Sequence, residues 1–285
     1  MFHSRESNIP EELILIIMKY LHISLNNLSL INKQFHNDSI LKTASIKFSQ
    51  RAGLPTSSNY KIFISTFPNL VKLNLGDNCE ISTVIINQFV NVTDLNLGCN
   101  NKISSLWYLT NLVKLDLGWN GKVDCVNFLT NLTNLNLGHC GTIKNISHLV
   151  NLKILDLNKN NAVNDISQLT NLTSLKLGSN YKINDVNLLR LTKLINLDLG
   201  NNNNISDFGI YGLSSTLLNL SVRKNKKVTD RSIQRMTLLT SLNLWGNRKV
   251  TDFGILKLTN LVSLNLKDNK KISDKATKQI KNVER

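Results

Sequence analysis

Aromatic and cationic side chains recur near the ends of regularly spaced, leucine-containing segments of this chain. Three of them occupy equivalent places in consecutive segments: Trp119, His139 and Lys159. Four more stand nearer the C-terminus: Arg223, Lys224, Trp245 and Lys267. Aromatic and arginine side chains are the usual energetic anchors of protein interfaces. We therefore predict that a first patch (Trp119/His139/Lys159) and a second patch (Arg223/Lys224/Trp245/Lys267) bind a protein partner; solvated strand edges are the alternative for both.

These residue types do not form a catalytic or metal-binding pattern. The five histidines have no cysteine or carboxylate at a recurring spacing, and no glycine-rich phosphate loop precedes a helix. The four cysteines are dispersed rather than spaced like metal ligands, which favours reduced thiols in an intracellular protein: Cys79, Cys99, Cys125 and Cys140. We expect no enzymatic activity, no metal and no cofactor.

Positive charge is concentrated in the last quarter of the chain. The formal net charge is +15, and residues 223–285 hold sixteen Lys or Arg against five acids. A row of lysines also precedes the aliphatic residue that closes several of the segments: Lys102, Lys122, Lys182, Lys227, Lys249 and Lys271. Such a row attracts an acidic protein tail, an anionic membrane surface or phosphates, or it is a solubilising ridge. We favour a protein partner over nucleic acid.

Nothing in the sequence predicts a membrane span. No run of eighteen or more apolar residues occurs. The N-terminus starts polar and shows no small-residue cleavage site, which argues against a signal peptide. We expect a cytoplasmic protein, in the host cytoplasm if the source is viral, that is monomeric outside any complex.

One pattern positions the candidate residues: leucine-x-x-leucine-x-leucine-x-x-asparagine-x-x-isoleucine or valine, repeated ten times. Its first positions are spaced 20 to 23 residues apart: Leu70, Val92, Leu112, Leu132, Leu152, Leu172, Leu194, Leu217, Leu239 and Leu261. Self-similarity at this period indicates a solenoid. Positions four and six predict the inward side chains of a short parallel strand, and position five faces out. The ninth-position asparagines predict a ladder that satisfies backbone groups where the strand turns, with Cys140 replacing one of them.

This pattern resembles the leucine-rich repeat, which implies an α/β solenoid with a curved parallel sheet on the concave face and turns or short helices on the convex face. The middle repeats carry Leu-Thr-Asn-Leu joints, resemble internalin-type repeats and leave room only for a turn or a 3₁₀ segment. Later repeats place Ser or Thr before Asp, which predicts capped convex helices and resembles the repeats of F-box proteins: Ser206, Thr229, Thr251 and Ser273. Position seven is mostly glycine until Arg223, Trp245 and Lys267 replace it.

The N-terminal segment differs from the repeats. Ile9-Pro10-Glu11-Glu12-Leu13, then Tyr20-Leu21, then Leu28-Ser29-Leu30-Ile31-Asn32-Lys33-Gln34-Phe35 resembles the F-box. It departs from that motif at Ile31-Asn32, where Val-Ser or Val-Cys is usual, and at Phe35, where Trp is commonest. The resemblance implies docking to a Skp1-like adaptor of a cullin ubiquitin ligase through a set of apolar residues: Ile9, Pro10, Leu13, Ile17, Leu21, Leu25, Leu28 and Ile31.

The predicted organisation has three parts. Residues 1–48 form an F-box-like helical domain, residues 49–69 a transitional segment or degenerate first repeat, and residues 70–285 the solenoid, whose end Ile280 and Val283 partly seal. The function this implies is substrate recognition for a Skp1-cullin ubiquitin ligase. The alternative is a binding scaffold whose N-terminal helices only cap the solenoid and whose basic C-terminal end binds an acidic or nucleic-acid partner.

Overall fold

The computed structural model describes residues 45–47, 70–75 and 81–285. The chain divides into two compact units, residues 1–132 and residues 133–285, which we call the first and the second unit. The repeat pattern did not predict this division. Apart from one strand at residues 45–47, the predicted F-box-like and transitional segments lie outside the described residues, so their boundaries stay a prediction.

Short parallel strands, one for each repeat, form the sheet of the first unit. They are β1 Ser45–Lys47, β2 Lys72–Asn74, β3 Asp94–Asn96 and β4 Lys114–Asp116. Neighbouring strands pair in chain order without a register shift, so that Leu73, Leu95 and Leu115 lie side by side. A single turn of helix, α1 Thr83–Ile86, follows β2.

The second unit has strands and helices of the same kind. Its strands are β5 Asn134–Asn136, β6 Ile154–Asp156, β7 Ser174–Lys176, β8 Asn196–Asp198, β9 Asn219–Ser221, β10 Ser241–Asn243, β11 Ser263–Asn265 and β12 Asn282–Glu284. Each pairs in parallel with the next. Its helices are α2 Asp185–Leu188, α3 Asp207–Ile210, α4 Asp230–Ile233, α5 Asp252–Ile255 and α6 Asp274–Thr277, with a 3₁₀ turn at Tyr211–Leu213.

The repeat leucines form the core, as predicted. At the repeat that starts with Leu172, positions one, four and six (Leu172, Leu175 and Leu177) are fully buried, and so is the closing Ile183. The side chains of a strand alternate between its two faces, so the residues on either side of Leu175 lie on the open face of the sheet. Burial of one such aliphatic side chain contributes about 1.5–3 kcal/mol. Hydrophobic burial therefore fixes which face of each strand is open.

The ninth-position asparagines form the predicted ladder. The buried side chain of Asn225 donates to the carbonyls of Asn202 (2.5 Å) and Ile205 (3.0 Å) in the preceding repeat. Its Oδ1 accepts from the backbone N–H groups of Lys227 and Val228, each at 2.8 Å. Buried polar groups are costly unless they are hydrogen-bonded, so this one side chain satisfies four backbone groups at the turn.

Repeat length decides whether a helix forms opposite the sheet. The repeats of 20 residues, which start at residues 92, 112, 132 and 152, carry turns and no helix. Those of 22 or 23 residues, which start at residues 70, 172, 194, 217 and 239, each carry one four-residue helix. The predicted Ser and Thr caps are confirmed for α3 to α6. The sequence reasoning missed α1 and α2, although the length of their repeats was a signal for both.

The aspartate after each cap serves the next repeat. Asp207 accepts from the backbone N–H of Thr229 (2.9 Å) and from its hydroxyl (2.6 Å). The same pair of bonds joins each aspartate to the following cap: Asp185 to Ser206, Asp230 to Thr251, and Asp252 to Ser273. The Ser/Thr-Asp dipeptide thus caps its own helix and binds its neighbour.

The end of the chain adds a strand. β12 pairs with β11, Ile280 is buried and Val283 is half-buried. Arg285 also reaches back to the carboxylate of Asp274, at 2.7 Å. The predicted partial sealing of the last repeat is therefore made by both backbone and side-chain contacts.

Candidate partner-binding surface

A tight turn after each strand positions the predicted partner-binding residues. In four described repeats the glycine at position seven takes the left-handed conformation: Gly98, Gly118, Gly178 and Gly200. In the other described repeats the left-handed residue is at position eight: His139, Lys159, Lys224, Gly246 and Asp268. This shift lets Arg223, Trp245 and Lys267 occupy position seven without a positive φ. The sequence did not reveal this shift, because non-glycine residues such as lysine are uncommon at positive φ.

Position-five side chains are committed to this turn. In most described repeats their oxygen accepts from the backbone N–H two residues later, as Asn243 does from Trp245 (3.0 Å) and Asn265 from Lys267 (3.0 Å). We predicted that these small polar residues face outward, and they do so as half-buried or exposed residues. These side chains therefore have a structural role, because they hold the backbone of position seven, where Trp245 and Lys267 stand.

The second patch is brought together around Trp245. The ammonium group of Lys224 lies 4.7 Å from the centre of the indole ring, and that of Lys267 lies 5.6 Å from it. Lys224 comes from the preceding repeat and Lys267 from the following one. Cations over an indole face are attracted by its π electrons, so the three side chains stabilise one another.

The indole nitrogen is also held. Trp245 Nε1 donates to a carboxylate oxygen of Asp268 at 2.8 Å. Asp268 itself has a positive φ, like Lys224, and non-glycine residues in this conformation cost about 1–2 kcal/mol each. The sequence reasoning did not include Asp268; its place one residue after Lys267 was the available signal. The result is a fixed aromatic ring with its polar edge occupied.

Arg223 lies beside this cluster at the rim of a groove. The groove holds about 510 Å³ on the open face of β7 to β10, and both Arg223 and Trp245 line it. Its floor carries serine and asparagine side chains, and Lys176 and Asp198 add one charge of each sign. Arg223 is half-buried, whereas Lys224 and Lys267 are exposed. The groove offers hydrogen-bonding groups beneath a positive rim.

The residues of the first patch belong to different units. Trp119, in the first unit, is exposed, and its backbone N–H donates to the carbonyl of Gly98 at 3.0 Å. In the second unit, burial lowers the pKa of His139 below its ordinary value, and the positive charge of Lys159 lowers it further, whereas Asp156 raises it. The structure thus relates His139 to Lys159, and the three-residue patch stays a prediction.

The predicted lysine row is exposed throughout. Lys102 and Lys122 belong to the first unit, and four members belong to the second: Lys182, Lys227, Lys249 and Lys271. The backbone N–H of each donates to the ladder asparagine two residues before it. The asparagine ladder therefore fixes the backbone position of each lysine in its turn.

Three further predictions concern the adaptor-binding residues, metal binding and membrane spans. The adaptor-binding residues Ile9 to Ile31 lie outside the described residues. Across residues 70–75 and 81–285, no three His, Cys, Asp or Glu side chains are grouped closely enough to hold a metal ion. Within the described part of the chain, the helices are too short to cross a membrane. The described surface presents hydrogen-bonding, cationic and aromatic groups on a repeated frame.

Comparison with solved structures supports the fold. No protein-family model and no curated protein matches the chain. An internalin, InlF from Listeria monocytogenes, is similar with a TM-score of 0.59 and 24% identity, over 84% of this chain and 77% of that one. The yeast Rad7–Elc1 complex gives a TM-score of 0.55 and 18% identity, over 82% and 71% of the two chains. The mouse RP105/MD-1 complex gives 0.55 and 19%, over 85% and 51%.

This chain has the leucine-rich repeat fold. Its parallel strands, buried leucines and ladder asparagines agree with the likeness to the internalin and to the other repeat proteins. The predicted fold class is therefore confirmed. The F-box resemblance of the N-terminal segment remains a prediction.

Proposed function

We propose that this chain is the substrate-binding subunit of a Skp1-cullin type ubiquitin ligase and that it acts in the cytoplasm without catalytic activity of its own. The open sheet face and the turns that follow it hold a target protein. The N-terminal segment docks on the adaptor, which brings the target to the ligase. Modification of the target is then the work of the other subunits.

The arrangement around Trp245 is the observation that carries the binding half of this proposal. An indole ring restrained by Lys224, Lys267 and Asp268 stands beside Arg223 at the rim of a groove. Trp and Arg are enriched among the residues that dominate binding energy at protein interfaces. Holding them in place before a partner arrives reduces the entropy lost on binding.

Two similar solved structures are consistent with a protein partner. Rad7 was solved with Elc1, and RP105 with MD-1. The link to a ligase comes from the F-box resemblance of residues 1–48. Docking would use the apolar residues named for that segment, from Ile9 to Ile31.

Co-purification with a Skp1 homologue tests the adaptor half. Wild-type protein should capture the adaptor, and a Pro10→Ala/Leu13→Asp variant should lose it. An Arg223→Ala/Trp245→Ala variant serves as the matched control, because it alters the sheet surface and should keep adaptor capture. No capture by the wild type would refute the ligase role and leave the binding half standing.

The charge distribution favours a second candidate: a binding scaffold that docks no adaptor, whose N-terminal helices cap the repeats. Residues 223–285 carry a net charge of +11, which is sixteen basic minus five acidic residues. Partner binding that weakens steeply with salt, together with no adaptor capture, would favour this scaffold over the ligase subunit.

A further inference from the structure

The acidic residues of the C-terminal quarter are all engaged in local structure. Asp230 and Asp252 bind the caps of the next helices, and Asp268 binds the indole of Trp245. Asp274 pairs with Arg285, and Glu284 accepts from the side chain of Asn265. Of the sixteen basic residues in the same stretch, Arg285 alone forms an ion pair with an acid of the described residues. The positive excess is therefore not neutralised there.

Nine of these basic residues gather on three consecutive turns. They occupy positions seven to eleven of the repeats that start at residues 217, 239 and 261: Arg223, Lys224, Lys226, Lys227, Arg248, Lys249, Lys267, Lys270 and Lys271. We call this set the basic edge. All of its members except Arg223 are exposed. Equivalent positions on neighbouring parallel strands lie about 4.8 Å apart, so the charges are closely spaced.

The frame beneath the basic edge is fixed. The backbone N–H groups of Lys227, Lys249 and Lys271 each donate to a ladder asparagine at 2.8 Å. Lys224 and Gly246 donate to the carbonyls of the residues beside them in the next repeat, at 2.7 and 2.8 Å. A rigid array of like charges in a low-dielectric surface raises the local concentration of an oppositely charged partner.

The cluster around Trp245 distinguishes between kinds of anionic partner. Proteins that bind single-stranded nucleic acid stack bases on open aromatic faces. Here Lys224 and Lys267 lie over the ring of Trp245, one from each neighbouring repeat, and Asp268 occupies its nitrogen. A base that stacked on this ring would therefore compete with the two lysines for it. The adjoining groove instead offers serine and asparagine side chains that suit the backbone of an extended peptide.

We infer that the basic edge and the adjoining groove hold an acidic polypeptide segment, rich in aspartate and glutamate, of the protein partner. This rests on the proposed protein-binding function and names the class of partner. The peptide backbone lies over the serine and asparagine floor, and its carboxylates face Arg223 and the lysines. Arg223 is the one arginine at the rim, where a planar guanidinium binds a carboxylate through two parallel hydrogen bonds.

Fluorescence anisotropy with the full chain tests this inference. The probes are a labelled Asp/Glu-rich peptide, its Asn/Gln counterpart of equal length, and a single-stranded RNA oligonucleotide. The acidic peptide should bind, and the Asn/Gln peptide should not. A Lys224→Glu/Lys267→Glu variant should bind the acidic peptide about tenfold more weakly or worse, since charge reversal turns two attractive contacts into repulsive ones.

A Lys257→Glu/Lys278→Glu variant is the matched control. Both lysines are exposed, lie just after helices α5 and α6, and give the same change in net charge. This variant should retain peptide affinity within about twofold, because separated surface charges are largely screened. A circular dichroism melt of each variant confirms that it is folded.

Three results would overturn the inference. RNA binding without peptide binding would assign the surface to nucleic acid. An equal loss of peptide affinity in both charge-reversed variants would show that only the net charge of the protein matters. Absence of peptide binding by the wild type would also refute it. Adaptor capture is measured separately, so failure of this inference and failure of the ligase role give different results.

Discussion

The asparagine ladder makes a strong prediction for the stability of the second unit. Replacement of Asn225 by Ala removes two donated and two accepted hydrogen bonds at a fully buried position. It leaves two carbonyls and two N–H groups without partners. Each unsatisfied buried group costs about 1–3 kcal/mol, so the free energy of unfolding should fall by about 4 kcal/mol or more. The free energy of unfolding of a typical domain is about 5–15 kcal/mol, so this loss is a large part of it.

Urea unfolding followed by far-UV circular dichroism measures this loss. Solenoid repeats contact only their neighbours, so local opening can precede global unfolding. Hydrogen exchange at the amides of Lys227 and Val228 therefore complements the urea experiment. Both amides should exchange much faster in the variant, because their acceptor is gone.

An asparagine on the open sheet face provides the control. Asn219 is exposed, and its side chain donates to Asn196 Oδ1 at 2.7 Å. Its replacement by Ala should change the free energy of unfolding by less than about 0.5 kcal/mol. If Asn225→Ala costs no more than Asn219→Ala, the ladder does not stabilise the turns and our reasoning is wrong.

Three further predictions follow from the turns and helices. Gly209→Ala should destabilise by about 1–3 kcal/mol, because its Cβ would lie 2.4 Å from a carboxylate oxygen of the preceding helix. Gly212→Ala, with no atom within 4 Å, should be neutral or stabilising in the same thermal melt. Cys140→Asn should raise the free energy of unfolding in urea by about 1 kcal/mol, since Asn supplies the ladder amide that Cys lacks; a loss of stability would contradict this. NMR titration should place the pKa of His139 below 6.5, and the Lys159→Met variant should show a higher pKa for His139 because a positive charge is removed. The free energy of unfolding should decline as the pH falls below 6.5, because His139 of the unfolded chain then binds a proton that the folded chain does not.

Periodicity was sufficient to predict the strands and the core. Leu172, Leu175 and Leu177 repeat a spacing that only a strand with one buried face satisfies, and the structure buries all three. The caps of α3 to α6 were also predictable, because Ser or Thr before Asp has a local physical meaning. Such features depend on residues close together in the chain.

Features that depend on stacking were not predictable in the same way. The bond from Asp207 to Thr229 joins residues 22 positions apart, so it exists only once two repeats are in register. The second patch was found because Trp245 interrupts a row of glycines. Its restraint by Asp268 was missed, since it depends on how the turn of the next repeat stacks beside the ring.

The two side-chain ladders of the second unit have a direction. Asn225 donates backwards to the repeat before it, and Thr229 likewise donates backwards to Asp207. Each repeat therefore finds its acceptors on a part of the chain that the ribosome has already made. Assembly from the N-terminal end never leaves a ladder donor waiting for its acceptor. Removal of the last repeat would leave the acceptors of these two ladders in place in the repeats before it, and would cost the preceding repeat only its forward bonds, such as those from the backbone of Gly246 to Lys267 and from the Trp245 indole to Asp268.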